Sequence, residues 1–458
     1  MRKYLFFLLT LLMIKTVAQN RQILYNFAEL PQASLLNPAV KTNYKFHIGI
    51  PLLSGISTDI ISTGFNLTDV FAKDNRNIND KIALVLNQLK ENDIVSINTQ
   101  VEVLSGGFRI NDKMYFNFGF YQEIDAIGNI PVDFFKLMTE GNEPYLNKNF
   151  SASQFNYKAD ALGVLHAGIS KEVNDKFSFG ARLKIYSSAL NMESTNNTGT
   201  FNTVEGSNNL LTHYFDTINL TARTSGLVDA ETDEYIDDEG AYIGNTFFGS
   251  NMGLGVDFGI IYKFSPQLEF SASILDVGFI NHTKNVKNTK VEGNFTFEGV
   301  DFLFNRDDSA NFWDEINNQF KSDLPTTENQ DSYISWRPTK MNAALKYSFG
   351  ERKSRICYDN RPKDFYTDAL GVQLYSTFRL SQSQIALTGF YEKVLTKNIQ
   401  TKFTYTLDKF SSANVGAGLS ARMGNFNVYA MLDNILSYRN LSSANHVSLQ
   451  LGFNLIFN

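Results

Sequence analysis

Few side chains in this sequence could carry chemistry. Five histidines stand at His47, His166, His213, His282 and His446, and one cysteine at Cys357. No histidine falls in an H-E-x-x-H or other short ligand spacing, and there is no G-x-S-x-G elbow and no phosphate loop. A hydrolytic serine would need a histidine on a neighbouring strand, and no spacing brings His446 to one. A single cysteine excludes an intrachain disulfide and a thiolate cluster around a metal, so Cys357 reads as a loop or strand-end residue. The stretch DAETDEYIDDEG gathers Asp229, Glu231, Asp233, Glu234, Asp237, Asp238 and Glu239. Hard carboxylate oxygens of this kind take Ca²⁺ or Mg²⁺, so a divalent cation at 229–239 is the one cofactor the sequence suggests. The spacing departs from an EF-hand loop, and a solvated acidic loop is the default reading. No catalytic, cofactor-binding or metal residue is assigned, and the chain is not expected to be an enzyme.

The elements that must position these residues are strands. Lys+Arg (41) nearly balance Asp+Glu (47), leaving a formal charge of −6, which excludes a nucleic-acid partner that needs a basic stripe. Residues 1–18 have the form of a secretory signal peptide: Arg2 and Lys3, an apolar stretch from Tyr4 to Ile14, and Thr16-Val17-Ala18 before the cut. That stretch is short of the ~20 residues a helix needs to span a bilayer. Beyond Ala18 no helix-length apolar run occurs, so a membrane location requires a closed barrel.

Period-2 alternation recurs throughout. KMYFNFGFYQ places Met114, Phe116, Phe118 and Phe120 on one face; KFSFGARLKIY places Phe177, Phe179, Ala181, Leu183 and Ile185 outward, with Arg182 and Lys184 on the polar side. The chain's last strand, HVSLQLGFNLIF, carries Val447, Leu449, Leu451, Phe453, Leu455 and Phe457 on one face. An edge strand so apolar is a pairing hazard unless the sheet closes and lipid covers it. The pattern divides into fourteen strands, at about 44–63, 99–109, 113–122, 161–171, 176–187, 251–263, 266–276, 340–349, 367–380, 384–393, 398–407, 411–421, 425–432 and 446–457. The even count depends on taking 44–63 as one strand disturbed at Pro51. The glycines mostly share the polar face, as in a crowded lumen.

With the last strand descending to the periplasm, INDK (110–113), VNDK, FSPQ, 350–366, 394–397 and RMGN fall on the periplasmic side. The long segments 64–98, 123–160, 188–250, 277–339 and 433–445 fall outside, the outer-membrane pattern. The fold class is thus all-β: a transmembrane antiparallel barrel of about 14 strands over 44–458, with long extracellular loops. Residues 19–43 carry Ile23, Leu24, Tyr25, Phe27, Leu30, Leu35 and Leu36, which need cover. They form either a plug-like hatch in the lumen or a strap on the periplasmic rim. PVDFFKLMTEGN reads as a helix from Pro131 to a Gly141 stop, and DSANFWDEINNQF as a second, with Trp313 on its apolar stripe.

PQASLLNPAV, with Leu36-Asn37-Pro38-Ala39, stands just before Phe46-His47-Ile48-Gly49-Ile50-Pro51. Gly106, Gly107, Lys113 and Tyr115 follow, and then Pro131, Asp133, Leu137, Gly141 and Asn142. This order resembles a family of uncharacterised Bacteroidota outer-membrane barrels, distantly like the long-chain fatty-acid transporter and the type 9 secretion barrel proteins. The resemblance implies a fourteen-stranded barrel with an N-terminal hatch, in which Asn37 and Pro38 fix the turn between hatch and wall. Three functions stay open: passive transport of a small or hydrophobic solute; an accessory or scaffold barrel binding another outer-membrane, periplasmic or secretion-complex protein; and a surface binder acting through its loops. Each places the mature protein in a Gram-negative outer membrane, against lipid and lipopolysaccharide.

Overall fold

The computed structural model describes residues 22–27, 30–206, 211–249, 251–297, 326–351, 366–379, 383–408 and 414–458. The signal peptide, Cys357 and the Trp313 helix lie outside the described residues. Among the described residues, fourteen antiparallel strands close into a barrel. They are β1 (Phe46–Gly49 continued by Ile56–Ser62), β2 (Ile94–Asn111), β3 (Met114–Asn129), β4 (Tyr157–Glu172), β5 (Phe177–Ser194), β6 (Asn251–Lys263) and β7 (Leu268–His282). The circuit continues with β8 (Tyr333–Trp336 continued by Thr339–Glu351), β9 (Tyr366–Phe378), β10 (Gln384–Thr396), β11 (Ile399–Leu407), β12 (Asn414–Met423), β13 (Phe426–Asp433) and β14 (His446–Phe457). Each pairs with the next, and β14 returns to β1 through Phe46↔Phe457 and Ile61↔His446. Closure leaves no wall edge, which satisfies the backbone where water is absent.

Pro51 interrupts β1 without dividing it. Both halves pair with β14 on one side and β2 on the other. Residues between them loop out of register, with Leu52 in the left-handed region (φ 63°) and the buried Ser54 carbonyl accepting from Tyr429 Oη (3.2 Å). Proline cannot donate to the ladder, and the bulge removes the demand for it to do so.

The alternation sorts the wall. In β14 the even side chains from His446 to Ile456 are buried, while the odd ones from Val447 to Phe457 are half-buried or exposed. The same holds in β5, where Leu183 is 68% exposed and its neighbours Arg182 and Lys184 are buried. An outward band of Leu, Ile, Val and Phe on a closed barrel is solvated by acyl chains, so the protein is an outer-membrane barrel. A Leu451→Arg substitution on this face is expected to cost about 2–4 kcal/mol of stability near the bilayer midplane. Urea unfolding in lipid vesicles reads it, and an unchanged midpoint would place Leu451 away from lipid.

Short turns gather at the end that carries Phe46 and Phe457; long connections occupy the other. At the turn end Asn174 Oδ1 accepts from Lys176 N and Phe177 N (2.9 and 2.8 Å), and Ser265 Oγ accepts from Gln267 N and Leu268 N (3.3 and 3.0 Å). At the loop end several strands run further than the alternation foretells: β2 begins at Ile94, β3 ends at Asn129, β4 begins at Tyr157, β5 ends at Ser194 and β7 at His282. The long segments are therefore partly wall. Strands Asn149–Ser151, Thr198–Glu205, Leu211–Ser225, Val286–Phe297 and Thr326–Asn329 extend the sheet beyond it.

Among the described residues, four α-helices occupy the long connections: α1 (Leu67–Phe71), α2 (Ile78–Gln88), α3 (Val132–Glu140) and α4 (Glu239–Thr246). The expected Pro131 helix is α3, closed by Gly141 at φ 76°. Helix α4 lies against the outside of the wall. Ser187 Oγ donates to Asn245 O (2.6 Å), Gln122 Nε2 to Thr246 Oγ1 (2.8 Å), and Phe247 stacks on Phe120 with centroids 4.8 Å apart.

Candidate functional site

The chain's own N-terminal residues pack against inward-facing side chains of the wall. From Gln22 to Tyr44 nearly every described side chain is buried. A proline at its first turn starts a short 3₁₀ helix, Pro31–Leu35, after which Leu36 N and Asn37 N both donate to Ala33 O (3.1 Å each). Ile23, Leu24, Tyr25, Phe27, Leu30, Ala33, Leu36, Ala39 and Val40 pack in one cluster with Ile261, Leu275, Ala344, Phe390, Tyr429 and Met431 of the wall.

Polar wall groups hold the segment's backbone. Lys402 Nζ donates to Tyr25 O (2.7 Å), Ser273 Oγ to Leu36 O (2.6 Å), and Arg182 to Ser34 O (2.5 Å) and Leu35 O (3.3 Å). Gln32 exchanges two bonds with Asn454 (2.9 and 3.0 Å) and donates to Glu102 (2.9 Å). Gln22 accepts from Thr388, and Asn26 donates to Ser271. Burial pushes the Tyr25 phenol up to about 12, keeping it neutral among these groups.

Leu36, Asn37, Pro38 and Ala39 are all buried here, Asn37 completely. Asn37 Oδ1 accepts from Ala39 N (3.0 Å), an Asx-type turn that leaves Asn37 O to accept from Val40 N (3.1 Å). The turn rests on two glycines that face each other across β5 and β6, Gly180↔Gly259. A Cβ on Gly180 would land on the Pro38 carbonyl, and one on Gly259 on Asn37 Oδ1. Gly416 and Gly418 leave comparable room for Ile23.

Above this seat a chain of buried charges crosses the lumen. Arg182 pairs with Asp257 (3.1 Å); Lys184 joins Asp257 (2.9 Å) to Asp276 (2.6 Å); Lys340 joins Asp276 (3.2 Å) to Glu123 (3.7 Å). Arg337 continues from Glu123 (2.7 Å) to Asp160 (3.6 Å), and Arg379 lies bidentate on Asp125 (2.9 and 2.8 Å). Asp257 also accepts from Asp276 N (2.7 Å), where Asp276 takes φ 59° at a bulge. The residual cavities are small: about 30 Å³ between Leu35, Lys184, Asp276 and Lys340, and about 20 Å³ beside Gln32 and Glu102. Each holds about one water.

The histidines take separate partners. His47 Nδ1 meets Tyr115 Oη (2.6 Å), in room left by Gly107; His282 meets Ser335 (2.9 Å); and His446 meets Asp59 (2.6 Å), not a serine. Both His282 and Ser335 are buried. The acidic run 229–239 is locally committed. Asp229 accepts from Glu231 N (2.9 Å), Asp233 pairs with Lys287 (2.7 Å) and Asp238 caps α4 through Gly240 N (2.8 Å). Among the described residues no group of three or more His, Cys, Asp or Glu could hold a metal ion.

Residues 38–433 match a family described as a family of unknown function, DUF5723. The chain belongs to that family. Its matched region starts at Pro38, within the glycine-seated turn, so the family spans the seat and almost the whole wall. Among curated proteins none matches the chain. Solved structures of similar form include a Pseudomonas aeruginosa FadL homologue (10% identity, 97% of this chain and 100% of that one, TM-score 0.44). The Ralstonia pickettii toluene transporter TbuX is another (10%, 94% and 95%, 0.41), as is the Pseudomonas putida toluene transporter TodX (10%, 96% and 94%, 0.36). The barrel stands on its own strand pairing, independently of them.

Proposed function

We propose that the protein is a passive outer-membrane conduit for a small solute, closed by residues 19–43 acting as a hatch. The observation that carries this reading is where the small residues lie. Between the larger wall residues Ile261, Leu275, Phe390, Tyr429 and Met431, the inward wall around the segment is lowered at Gly180, Gly259, Ser271, Ser273, Ala344, Thr388, Thr404, Gly416 and Gly418. A barrel meant only to be solid fills its interior with its own large side chains. Here the wall leaves the space and a separate stretch of chain fills it. Leu36, Asn37, Pro38 and Ala39 form the stop against which the hatch closes.

In this reading residues 1–18 are removed on export, the turn end faces the periplasm, and the long loops are extracellular. Lipid and lipopolysaccharide surround the wall. Within the connected chain of buried charges, five carboxylates (Glu123, Asp125, Asp160, Asp257, Asp276) face five cations (Arg182, Lys184, Arg337, Lys340, Arg379). That balance favours an uncharged solute, small or hydrophobic, over an ion of either sign. No step in this function calls on a catalytic group.

The test is conductance in planar bilayers, comparing the full chain with a variant lacking residues 22–40. Strand pairing begins at Phe46, so the deletion leaves the wall's ladder intact. The full chain is expected to stay near baseline and the deletion to give stepwise openings. A deletion variant that is folded by heat-modifiability yet remains closed would turn the reading to the scaffold alternative. One observation favours that alternative: among the described residues the outermost strand, Thr326–Asn329, is exposed throughout, an edge that a partner's strand could extend.

A further inference from the structure

We propose that the outer wall carries a phospholipid-binding site, a groove centred on Gly389. The outward side chains of β10 run Ile385, Leu387, Gly389, Tyr391 and Lys393, so one position in the row has no side chain. A Cβ at Gly389 would find nothing nearer than Tyr405 O at 4.0 Å. The dent opens into a groove of about 600 Å³, flanked by Leu370, Val372, Phe403 and Tyr405 on the neighbouring strands. That is within the range of small-molecule sites. Its floor is the inward-facing Phe390, whose ring passes under Gly371, where any side chain would collide with it.

An apolar groove on the outward face of a membrane barrel is reached by acyl chains and not by water. What makes this one a site for a particular lipid is its turn-end border. Lys393 and Asp368 are cross-strand partners on the same outward face, 2.8 Å apart, and Tyr391 Oη donates to the same Asp368. Four residues of strand separate Gly389 from Lys393, about 13 Å, or about 10 Å along the membrane normal at a tilt of about 40°. The apolar band of such barrels is about 25 Å tall, so half of it is close to that distance. A chain seated at Gly389 near mid-membrane thus brings its headgroup to Lys393 at the interface. The ammonium of Lys393 has donors to spare for a phosphate, and Asp368 offers a carboxylate to an amine. The matching ligand is a zwitterionic aminophospholipid. The leaflet assignment rests on the reading above, that the turn end is periplasmic; the groove does not.

The site reaches the lumen. The Phe390 ring at its floor lies 4.3 Å from Lys402 Nζ, the group that holds the Tyr25 carbonyl. A filled groove supports the ring against which that hold is made.

Native mass spectrometry of the full chain, stripped in detergent and titrated with dipalmitoyl phosphatidylethanolamine, tests this. The wild type is expected to retain one lipid after the others dissociate. Gly389→Leu fills the dent and should lower that occupancy at least tenfold, and Lys393→Gln several-fold. Ala181→Leu, elsewhere on the outward face, should leave it unchanged. Gly389→Ala, which adds only the unobstructed Cβ, is the second variant if leucine impairs folding, with an intermediate loss expected. Equal retention in wild type and both Gly389 variants overturns the proposal, as does recovery of lipopolysaccharide as the retained native lipid. The readout is independent of conductance, so a barrel that never opens leaves the lipid site standing.

Discussion

Replacing Arg182 by methionine is expected to destabilise the protein by about 3–5 kcal/mol, at the lower end of that range, although no strand is touched. The guanidinium is completely buried, as is its partner Asp257. Removing one member of such a pair strands the other in a medium that solvates charge poorly. Asp257 keeps Lys184 at 2.9 Å, which moderates the loss. Arg182 also holds two carbonyls, Ser34 O and Leu35 O, and each buried acceptor left without a donor costs about 1–3 kcal/mol. Lysine is a poor substitute, because one ammonium cannot serve both carbonyls and the carboxylate with a planar fork. Arg182→Met combined with Asp257→Asn should recover part of the stability, since the stranded charge goes with its partner.

Two readouts separate the charge from the latch. Urea unfolding in vesicles gives the stability, and proteolysis within residues 22–44 of the folded barrel gives the hold on the segment. Both are expected to move in Arg182→Met; in the double variant the first recovers in part and the second stays fully perturbed. By contrast, Arg76→Ala breaks a solvent-exposed pair with Asp74 and should leave the midpoint where it is. An Arg182→Met variant that unfolds at the wild-type urea concentration would show that the lumenal pairs are wet and screened.

Strand number and facing were legible in the sequence because one side of each strand meets lipid. Lipid demands an apolar residue at every second position, and a chain such as Val447 to Phe457 announces it. Where the wall leaves the bilayer that demand ends. At Gln122 and Ser187 the outward positions are polar and covered by α4, so the alternation fades while the hydrogen-bonded strand continues. The same limit explains the turns. The tetrapeptide Ile-Asn-Asp-Lys occurs twice: at 110–113 it is the β2–β3 hairpin turn, with Asn111 Oδ1 accepting from Lys113 N. At 78–81 it begins α2, behind the Asn77 cap. Local sequence permits both, and the strands on either side of the first copy decide it. Arg182, Lys184 and Asp257 were assignable to the lumen by parity, Asp257 directly across the β5–β6 ladder from Arg182; Asp276 was not, since it turns inward only through the β6–β7 bulge. The apolar leader's need for cover was readable at Ile23 to Leu36; that glycines from β5 and β6 would meet across a strand pair to receive it was not.

Those glycines give the sharpest separation of hatch from wall. A Gly180→Val or Gly259→Val substitution is expected to displace residues 36–39 while leaving the barrel folded. The strands themselves favour the change, because valine suits an extended, half-buried backbone better than glycine does. The obstruction is specific. At Gly180 the new Cβ meets the Pro38 carbonyl and the Ala39 nitrogen, which are backbone atoms that no rotamer can move aside. At Gly259 it meets the Asn37 side chain that closes the turn. Relief requires the segment to withdraw, with loss of the adjoining bonds to Arg182 and Ser273. Cleavage within residues 22–44 is expected to rise at least tenfold and bilayer conductance to appear, with heat-modifiability unchanged. Gly141→Ala is the control: its φ of 76° makes a side chain locally unfavourable by about 1 kcal/mol, but nothing lies within 4 Å and the lumen is untouched. If both valine variants fold, stay closed and protect the segment, then the turn at Leu36–Ala39 adapts without leaving its seat. The segment would then be part of a permanently filled core, and the protein's work would lie on its outer surfaces.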